Sequence, residues 1–195
     1  MNKNLDEYKG NFYPEQYSKD SVTEINHNYL PNQFADHSLI LKKIEKVVID
    51  GDFTLGEAVD ELENSYAELI GTKHAIGVGS GTDALFLSLK SVGIEKGDEV
   101  ITTPFTFFAT IGAIVTAEAK PVFVDCGQDL NINPDLIEQA ITEHTKAIMP
   151  VHWSGRPCEM DKINEIAKKY NIAVVEDACH AIKATYKGKG AGNLG

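Results

Sequence analysis

Short apolar runs alternate with longer amphipathic stretches along residues 74–176. The apolar runs have the length and composition of buried strands, whereas the amphipathic stretches repeat apolar residues at helical spacing. Such alternation is typical of βαβ units. It predicts an α/β fold with three layers, in which a mostly parallel sheet carries helices on both faces. The predicted strands are residues 74–79, 99–103, 122–125, 147–151 and 172–176, and the predicted helices are residues 82–92, 108–117, 134–141 and 160–170.

The segments on either side of this region have different patterns. Helices are predicted over residues 36–50 and 55–70, and Gly71 is the predicted C-terminal cap of the second. Residues 1–35 are polar and aromatic with weak periodicity, which predicts an N-terminal arm ahead of one domain over residues 36–195. Residues 184–195 predict a tight hairpin or loop. Because a domain usually finishes on a helix or a strand, this glycine-rich ending predicts that the C-terminal part of the domain is missing.

The charge and cysteine content exclude several classes of protein. The formal net charge is −11, which argues against nucleic acid or an anionic membrane surface as a partner. No stretch approaches the roughly 18 apolar residues of a membrane helix, and the N-terminus lacks the apolar core of a signal peptide. The three cysteines form no CxxC pair, which predicts reduced thiols in a cytoplasmic protein.

The turn after the first predicted strand is rich in glycine. Residues 77–85 read GVGSGTDAL. Glycines let the backbone approach an anion, and the following helix directs its free N–H groups toward it. The turn is therefore a candidate phosphate site with Thr82 as a hydroxyl donor, and a purely structural turn is the alternative. A P-loop is excluded because no lysine follows Gly81, and the GxGxG spacing argues against a dinucleotide site.

Further candidates follow the later strands, because ligands gather at the carboxyl ends of parallel strands. Three phenylalanines lie within residues 105–108, and one of them is a candidate to stack on a flat ring, with core packing as the alternative. His152, Trp153 and Arg156 follow the fourth strand and are candidates to line a substrate cleft.

Asp177 comes directly after the fifth predicted strand. A carboxylate at the end of a buried strand needs a partner, and a protonated pyridine nitrogen is one such partner. His180 follows three residues later, where it can contact an oxygen on the same ring. A metal pair, a helix cap and a salt bridge are the alternatives.

Taken in order, these segments resemble one family. The segments GSGTDAL, TTPFTFFAT, KPVFVD, TKAIMPVHWSGRP and VVEDACHA are similar to the nucleotide-sugar aminotransferases of the DegT/DnrJ/EryC group. These are fold-type I enzymes that depend on pyridoxal 5'-phosphate (PLP). The upstream FTLGEAVDELENSYAELIGTKHAIGVGSGT resembles their N-terminal helix and entry strand. The resemblance covers about residues 50–195 and implies their large, PLP-binding domain.

The resemblance implies roles at five positions. Gly81 and Thr82 correspond to the residues that hold the cofactor phosphate. Phe107 corresponds to the aromatic residue stacked on the pyridine ring. Asp177 corresponds to the carboxylate paired with the ring nitrogen, and His180 to a contact of the ring hydroxyl.

The resemblance also implies a reaction and its partners. An amino group passes from an amino-acid donor, usually glutamate, to a keto-sugar linked to a nucleotide. Family sites form between two subunits, which implies a homodimer. Lys183, Lys187 and Lys189 lack the sequence context of the lysine that forms a Schiff base with PLP, so that lysine is expected beyond Gly195. The chain by itself is accordingly expected to be inactive.

Three alternatives stay open at this point. A PLP-dependent sugar dehydratase of the same fold has a histidine in place of the lysine. A non-catalytic protein that binds PLP or a nucleotide sugar is a second alternative. The third is a dehydrogenase-like dinucleotide domain, against which the glycine spacing counts.

Overall fold

The computed structural model describes residues 33–195. The chain divides into two compact units, one ending at Phe53 and one running from Thr54 to Gly195. The first contains helix α1 (His37–Asp50), which ends at Gly51 with a φ of 69°. This helix confirms the prediction for residues 36–50. Residues 1–32 of the predicted arm lie outside the described residues, and the domain boundary at residue 36 stays a prediction.

The second unit contains four α-helices and six short strands. Glycine and asparagine end two of the helices, since both residues tolerate the left-handed region: Gly71 has a φ of 81° and Asn171 a φ of 54°. In chain order the elements are α2 (Glu57–Ile70), α3 (Gly81–Ser91), β1 (Glu99–Thr102), α4 (Phe108–Thr116), β2 (Lys120–Phe123), β3 (Thr145–Ile148), α5 (Met160–Tyr170), β4 (Ala173–Val174), β5 (Thr185–Tyr186) and β6 (Lys189–Gly190).

Strands β1 to β4 form one parallel sheet in the order β2-β1-β3-β4. Ile101 of β1 lies opposite Val122 on one side and Ile148 on the other. Parallel neighbours need crossover connections, and here these carry α4, the segment before β3, and α5. The predicted parallel α/β sheet is confirmed.

Each face of the sheet is covered, because successive residues of a strand point to opposite faces. Val100, Ala147 and Val175 belong to one buried cluster, together with residues of α3 and α4. Ile101 and Ile148 belong to a second buried cluster, together with residues of α5. The sheet is therefore the middle of three layers, as predicted.

Two predicted elements have a different structure. Residues 74–79 form no strand, and Ile76 is 80% exposed. A strand requires a neighbour to accept and donate its backbone hydrogen bonds, and within residues 33–195 no strand pairs with this segment. Residues 134–141 form two 3-10 turns (Pro134–Leu136 and Glu138–Ala140) instead of an α-helix. A segment this short forms too few α-helical hydrogen bonds to offset the free-energy cost of helix nucleation.

The hairpin predicted near the C-terminus is confirmed by the antiparallel pair β5-β6. A Cβ atom on Gly190 would lie 2.7 Å from the carbonyl oxygen of Ile70, so the hairpin approaches the end of α2 more closely than any other residue type allows. Asn193 Nδ2 donates to the carbonyl oxygen of Gly71 at 2.9 Å.

Within residues 33–195, each helix is too short or too polar to cross a bilayer.

Candidate functional site

Asp177 lies where the sheet ends beside β3. Its backbone N–H donates to the carbonyl oxygen of Pro150 at 2.9 Å, and its own carbonyl oxygen accepts from the N–H of His152 at 3.0 Å. The chain after Val174 thus continues the parallel pairing through one isolated bridge, between Val151 and Asp177. This explains why β4 is shorter than the predicted strand over residues 172–176. The pairing fixes the backbone that carries the Asp177 carboxylate.

The Asp177 side chain is only 6% exposed. Its Oδ2 accepts a 2.7 Å hydrogen bond from the hydroxyl of Thr110, and its Oδ1 has a long 3.4 Å contact with the N–H of Cys179. A carboxylate offers about four acceptor positions. A nearly buried carboxylate with so few donors has acceptor capacity left for a cationic or N–H partner.

A small cavity of about 50 Å³ adjoins this carboxylate. Phe107, Asp177 and His180 all line it, so the structure brings together three of the five residues named from the sequence. Phe107 is 68% exposed and immediately precedes α4. Its ring is thus available to a ligand instead of being packed in the core.

Trp153 forms another wall of the same cavity. Its ring meets that of His180 edge-on, with 5.2 Å between centroids, and that of Phe105 at 4.7 Å. Of the three substrate-cleft candidates after the fourth strand, only Trp153 is placed here. His152 is fully buried, and Arg156 is an exposed side chain 3.8 Å from Asp129.

The glycine turn at the start of α3 lies next to this region. A Cβ atom built on Gly81 would be 3.2 Å from Sγ of Cys179, two residues after Asp177. Ser80 caps α3, since its hydroxyl oxygen accepts from the N–H of Asp83 at 3.1 Å. Gly81 and Thr82 therefore present the N-terminal turn of a helix, which attracts anions, at the same end of the sheet as Asp177.

Glu176 forms a second network directly beside the site. Its carboxylate accepts from Nε2 of His152 at 2.9 Å and from the backbone N–H groups of Gly192, Leu194 and Gly195 at 2.8, 2.6 and 2.7 Å. Nδ1 of His152 accepts from the N–H of Cys158 at 3.2 Å, so the ring proton lies on Nε2 and is donated to Glu176. This network fastens the glycine-rich segment 191–195 to the end of β4.

The pKa of Glu176 lies below its ordinary value. Burial opposes ionisation, but the hydrogen bonds from His152 and from three backbone N–H groups outweigh it. A lowered folded-state pKa contributes stability above the unfolded value of 4.5, and this contribution is lost as the pH falls through the folded value.

Acid unfolding of the Glu176→Gln variant tests this sign. The free energy of unfolding of the unsubstituted protein should fall between pH 5 and 3 more steeply than that of the variant, because Gln does not titrate. Urea titrations at several pH values measure both slopes. The acid dependence that stays in the variant belongs to other carboxylates, such as Glu99, whose pKa is lowered by hydrogen bonds from Lys120 and Thr142. Equal slopes for the two proteins would contradict the role given to Glu176.

Sequence reasoning missed Thr106, Thr110 and Glu176. The first two are four residues apart, a spacing that places polar groups on one side of a helix start. Glu176 and Asp177 are adjacent, and the side chains of successive residues in an extended chain point in opposite directions. This was a signal for two separate acidic sites.

The lysines near the hairpin do not line the cavity around Asp177, whose described walls contain no lysine. Lys187 instead contacts Asp161 on α5.

Comparison with solved structures defines the class of the fold. NtdA of Bacillus subtilis, solved with bound cofactor PMP, superimposes with a TM-score of 0.79 at 34% sequence identity, over 94% of this chain and 44% of that one. The chain thus has the α/β fold of the fold-type I PLP-dependent aminotransferases.

Sequence comparison defines the family. The model of the DegT/DnrJ/EryC1/StrS aminotransferase family matches residues 35–195, and the chain belongs to this family, whose members depend on PLP. It is 45% identical over 152 residues to the UDP-2-acetamido-2-deoxy-3-oxo-D-glucuronate aminotransferase of Pseudomonas aeruginosa. It is 42% identical over 171 residues to the spore coat polysaccharide biosynthesis protein SpsC of Bacillus subtilis. The matches cover 77% and 84% of this chain but only 42% and 44% of the two relatives.

Proposed function

We propose that this chain forms the cofactor-binding part of a PLP-dependent enzyme that transfers an amino group from an amino acid, such as glutamate, to a keto-sugar linked to a nucleotide. The observation that carries the proposal is the nearly buried carboxylate of Asp177, which shares a cavity with Phe107 and His180. The family and the named relatives support the reaction class.

The residues present fit the chemistry of PLP. Asp177 is a nearly buried acceptor with free capacity, which suits a partner for a protonated ring nitrogen. The exposed ring of Phe107 suits stacking on a flat heterocycle. The helix start at Gly81 and Thr82 suits a phosphate, and Gly81 leaves room that a side chain would fill against Cys179.

Each residue has one task in the proposed mechanism. Asp177 would hold a proton on the ring nitrogen, and Phe107 would cover one face of the ring. Gly81 and Thr82 would anchor the phosphate, and His180 would orient the ring oxygen. Bound PLP supplies the electron sink for proton removal from the substrate carbon. The chain's own contribution is therefore orientation and electrostatics.

A cytoplasmic homodimer completes the proposal. Phe108, which follows the cavity-lining Phe107 and is 78% exposed, is an apolar side chain that a second copy of the chain would cover. Three free cysteines suit a reducing compartment.

Ligand binding and product analysis test the function. Titration of the protein, expressed from its complete gene, should give saturable binding of PLP and at least about tenfold weaker binding of pyridoxal. The reason is that pyridoxal lacks the phosphate, and each hydrogen bond to a charged group contributes about 1.5–3 kcal/mol. Mass spectrometry should then detect an amino group on a UDP-linked 3-oxo-glucuronate supplied with glutamate. Equal affinities for PLP and pyridoxal, or loss of water from the sugar in place of amine gain, would count against the proposal.

A further inference from the structure

A chain of two hydroxyls leads to the Asp177 carboxylate. Thr110 lies in the first turn of α4, is fully buried, and donates to Oδ2 of Asp177 at 2.7 Å. Its hydroxyl oxygen lies 2.7 Å from that of Thr106, which lines the cavity. The two threonines follow one strand of the sheet and Asp177 follows another. Thr110 and Asp177 are 67 residues apart in sequence.

The direction of the hydrogen bonds follows from the number of protons. A threonine hydroxyl has one hydrogen, and Thr110 directs it to Asp177. The bond between the two threonines must then use the hydrogen of Thr106, so Thr106 donates to Thr110. A threonine in a helix commonly bonds back to a carbonyl of the preceding turn, whereas this one bonds to a distant carboxylate.

We propose that Thr110 is the positioning residue that aims the Asp177 carboxylate at the cofactor ring nitrogen, and that Thr106 holds the Thr110 hydroxyl in its donating orientation. The inference rests on the proposed function. With Oδ2 fixed by Thr110, the carboxylate cannot rotate freely, and Oδ1 remains as the lightly bonded oxygen. Thr110 also lies in the turn that Phe107 begins, and its N–H donates to the carbonyl oxygen of Phe107 at 3.2 Å. One helical turn thus fixes both the ring-covering residue and the direction of the carboxylate.

A pair of cofactors that differ at one atom tests this role. Dissociation constants are measured for PLP and for its 1-deaza analogue, in which carbon replaces the ring nitrogen. Thr110→Val keeps the shape of the side chain and removes the hydroxyl, whereas Thr110→Ser keeps the hydroxyl. We expect the Val variant to bind PLP about tenfold more weakly, because the Asp177 carboxylate is no longer held in one orientation toward the ring nitrogen, and to bind the analogue as the unsubstituted protein does. The Ser variant should bind both cofactors almost normally.

The possible outcomes separate this inference from the proposed function. Equal weakening of PLP and of the deaza analogue by Thr110→Val would mean that the hydroxyl only supports the fold, which overturns the inference alone. Absence of PLP binding by the unsubstituted protein would overturn the proposed function and the inference together. Thermal unfolding is followed first, and if the Val variant does not fold, Thr106→Val replaces it, since Thr106 is only half-buried. This second variant should give a smaller loss that is again confined to PLP, and an equal loss for both cofactors would overturn the inference.

Discussion

Replacement of Asp177 by Asn should weaken PLP binding roughly 10²-fold or more and remove amino transfer. Asn has nearly the same shape and can still accept from Thr110, but it carries no charge to stabilise a protonated ring nitrogen. Removal of one partner of a buried ion pair costs about 3–5 kcal/mol, and each 1.4 kcal/mol corresponds to a factor of ten. Titration of PLP absorbance or fluorescence measures the dissociation constant.

The same substitution should not destabilise the cofactor-free protein. Asp177 accepts a short hydrogen bond from Thr110, and the amide oxygen of Asn can accept it as well. The melting temperature of the cofactor-free variant should therefore be close to that of the unsubstituted protein. Asp135→Asn makes the same chemical change at a carboxylate that is 73% exposed, and should alter neither quantity. Normal PLP affinity in the Asp177→Asn variant would refute the assigned pairing.

Replacement of Glu176 by Ala should lower the free energy of unfolding by about 3 kcal/mol. Four hydrogen-bond donors lose their acceptor. Gly192 and Gly195 are exposed, so water can replace the carboxylate at their N–H groups, but the His152 ring and the N–H of Leu194 are buried. Each buried donor without a partner costs about 1–3 kcal/mol. Urea unfolding measures the total loss.

Hydrogen exchange locates the effect of this variant. The N–H group of Leu194 should lose its protection against exchange, while amides in the core strands β1 and β3 keep the protection set by global stability. Glu165→Ala on the exposed side of α5 is the matched control and should change the free energy of unfolding by less than about 0.5 kcal/mol. Unchanged protection at Leu194 would show that Glu176 does not hold the segment 191–195.

The α-helices of the described residues were predictable because their signals are local, although the helix predicted over residues 134–141 was wrong. Helix α5 occupies the predicted residues 160–170, where an apolar stripe and the left-handed Asn171 mark both its face and its end. Helix α2 begins two residues later than predicted but ends at Gly71 as expected. A helix satisfies its hydrogen bonds within its own segment, so the sequence alone carries most of the information needed to place it.

Strands depend on neighbours that the sequence does not specify. Residues 74–79 and 147–151 have similar apolar patterns, but only the second lies between two other strands in the described part of the chain. Pairing also set the end of β4, since one isolated bridge at Asp177 replaces a continuous ladder beyond Val174. The number of residues in each strand is therefore a property of the sheet and not of the segment.

The sequence by itself determined the α/β class, the parallel sheet and the acidic residue at the end of its last strand, since these follow from apolar periodicity and from the rule that parallel strands gather ligands at one edge. The tertiary structure alone decided the partners of that residue. It placed Thr110 against Asp177, and it paired the neighbouring Glu176 with His152 and with the segment 191–195. Such contacts join residues far apart in sequence, and their geometry arises only when the layers pack.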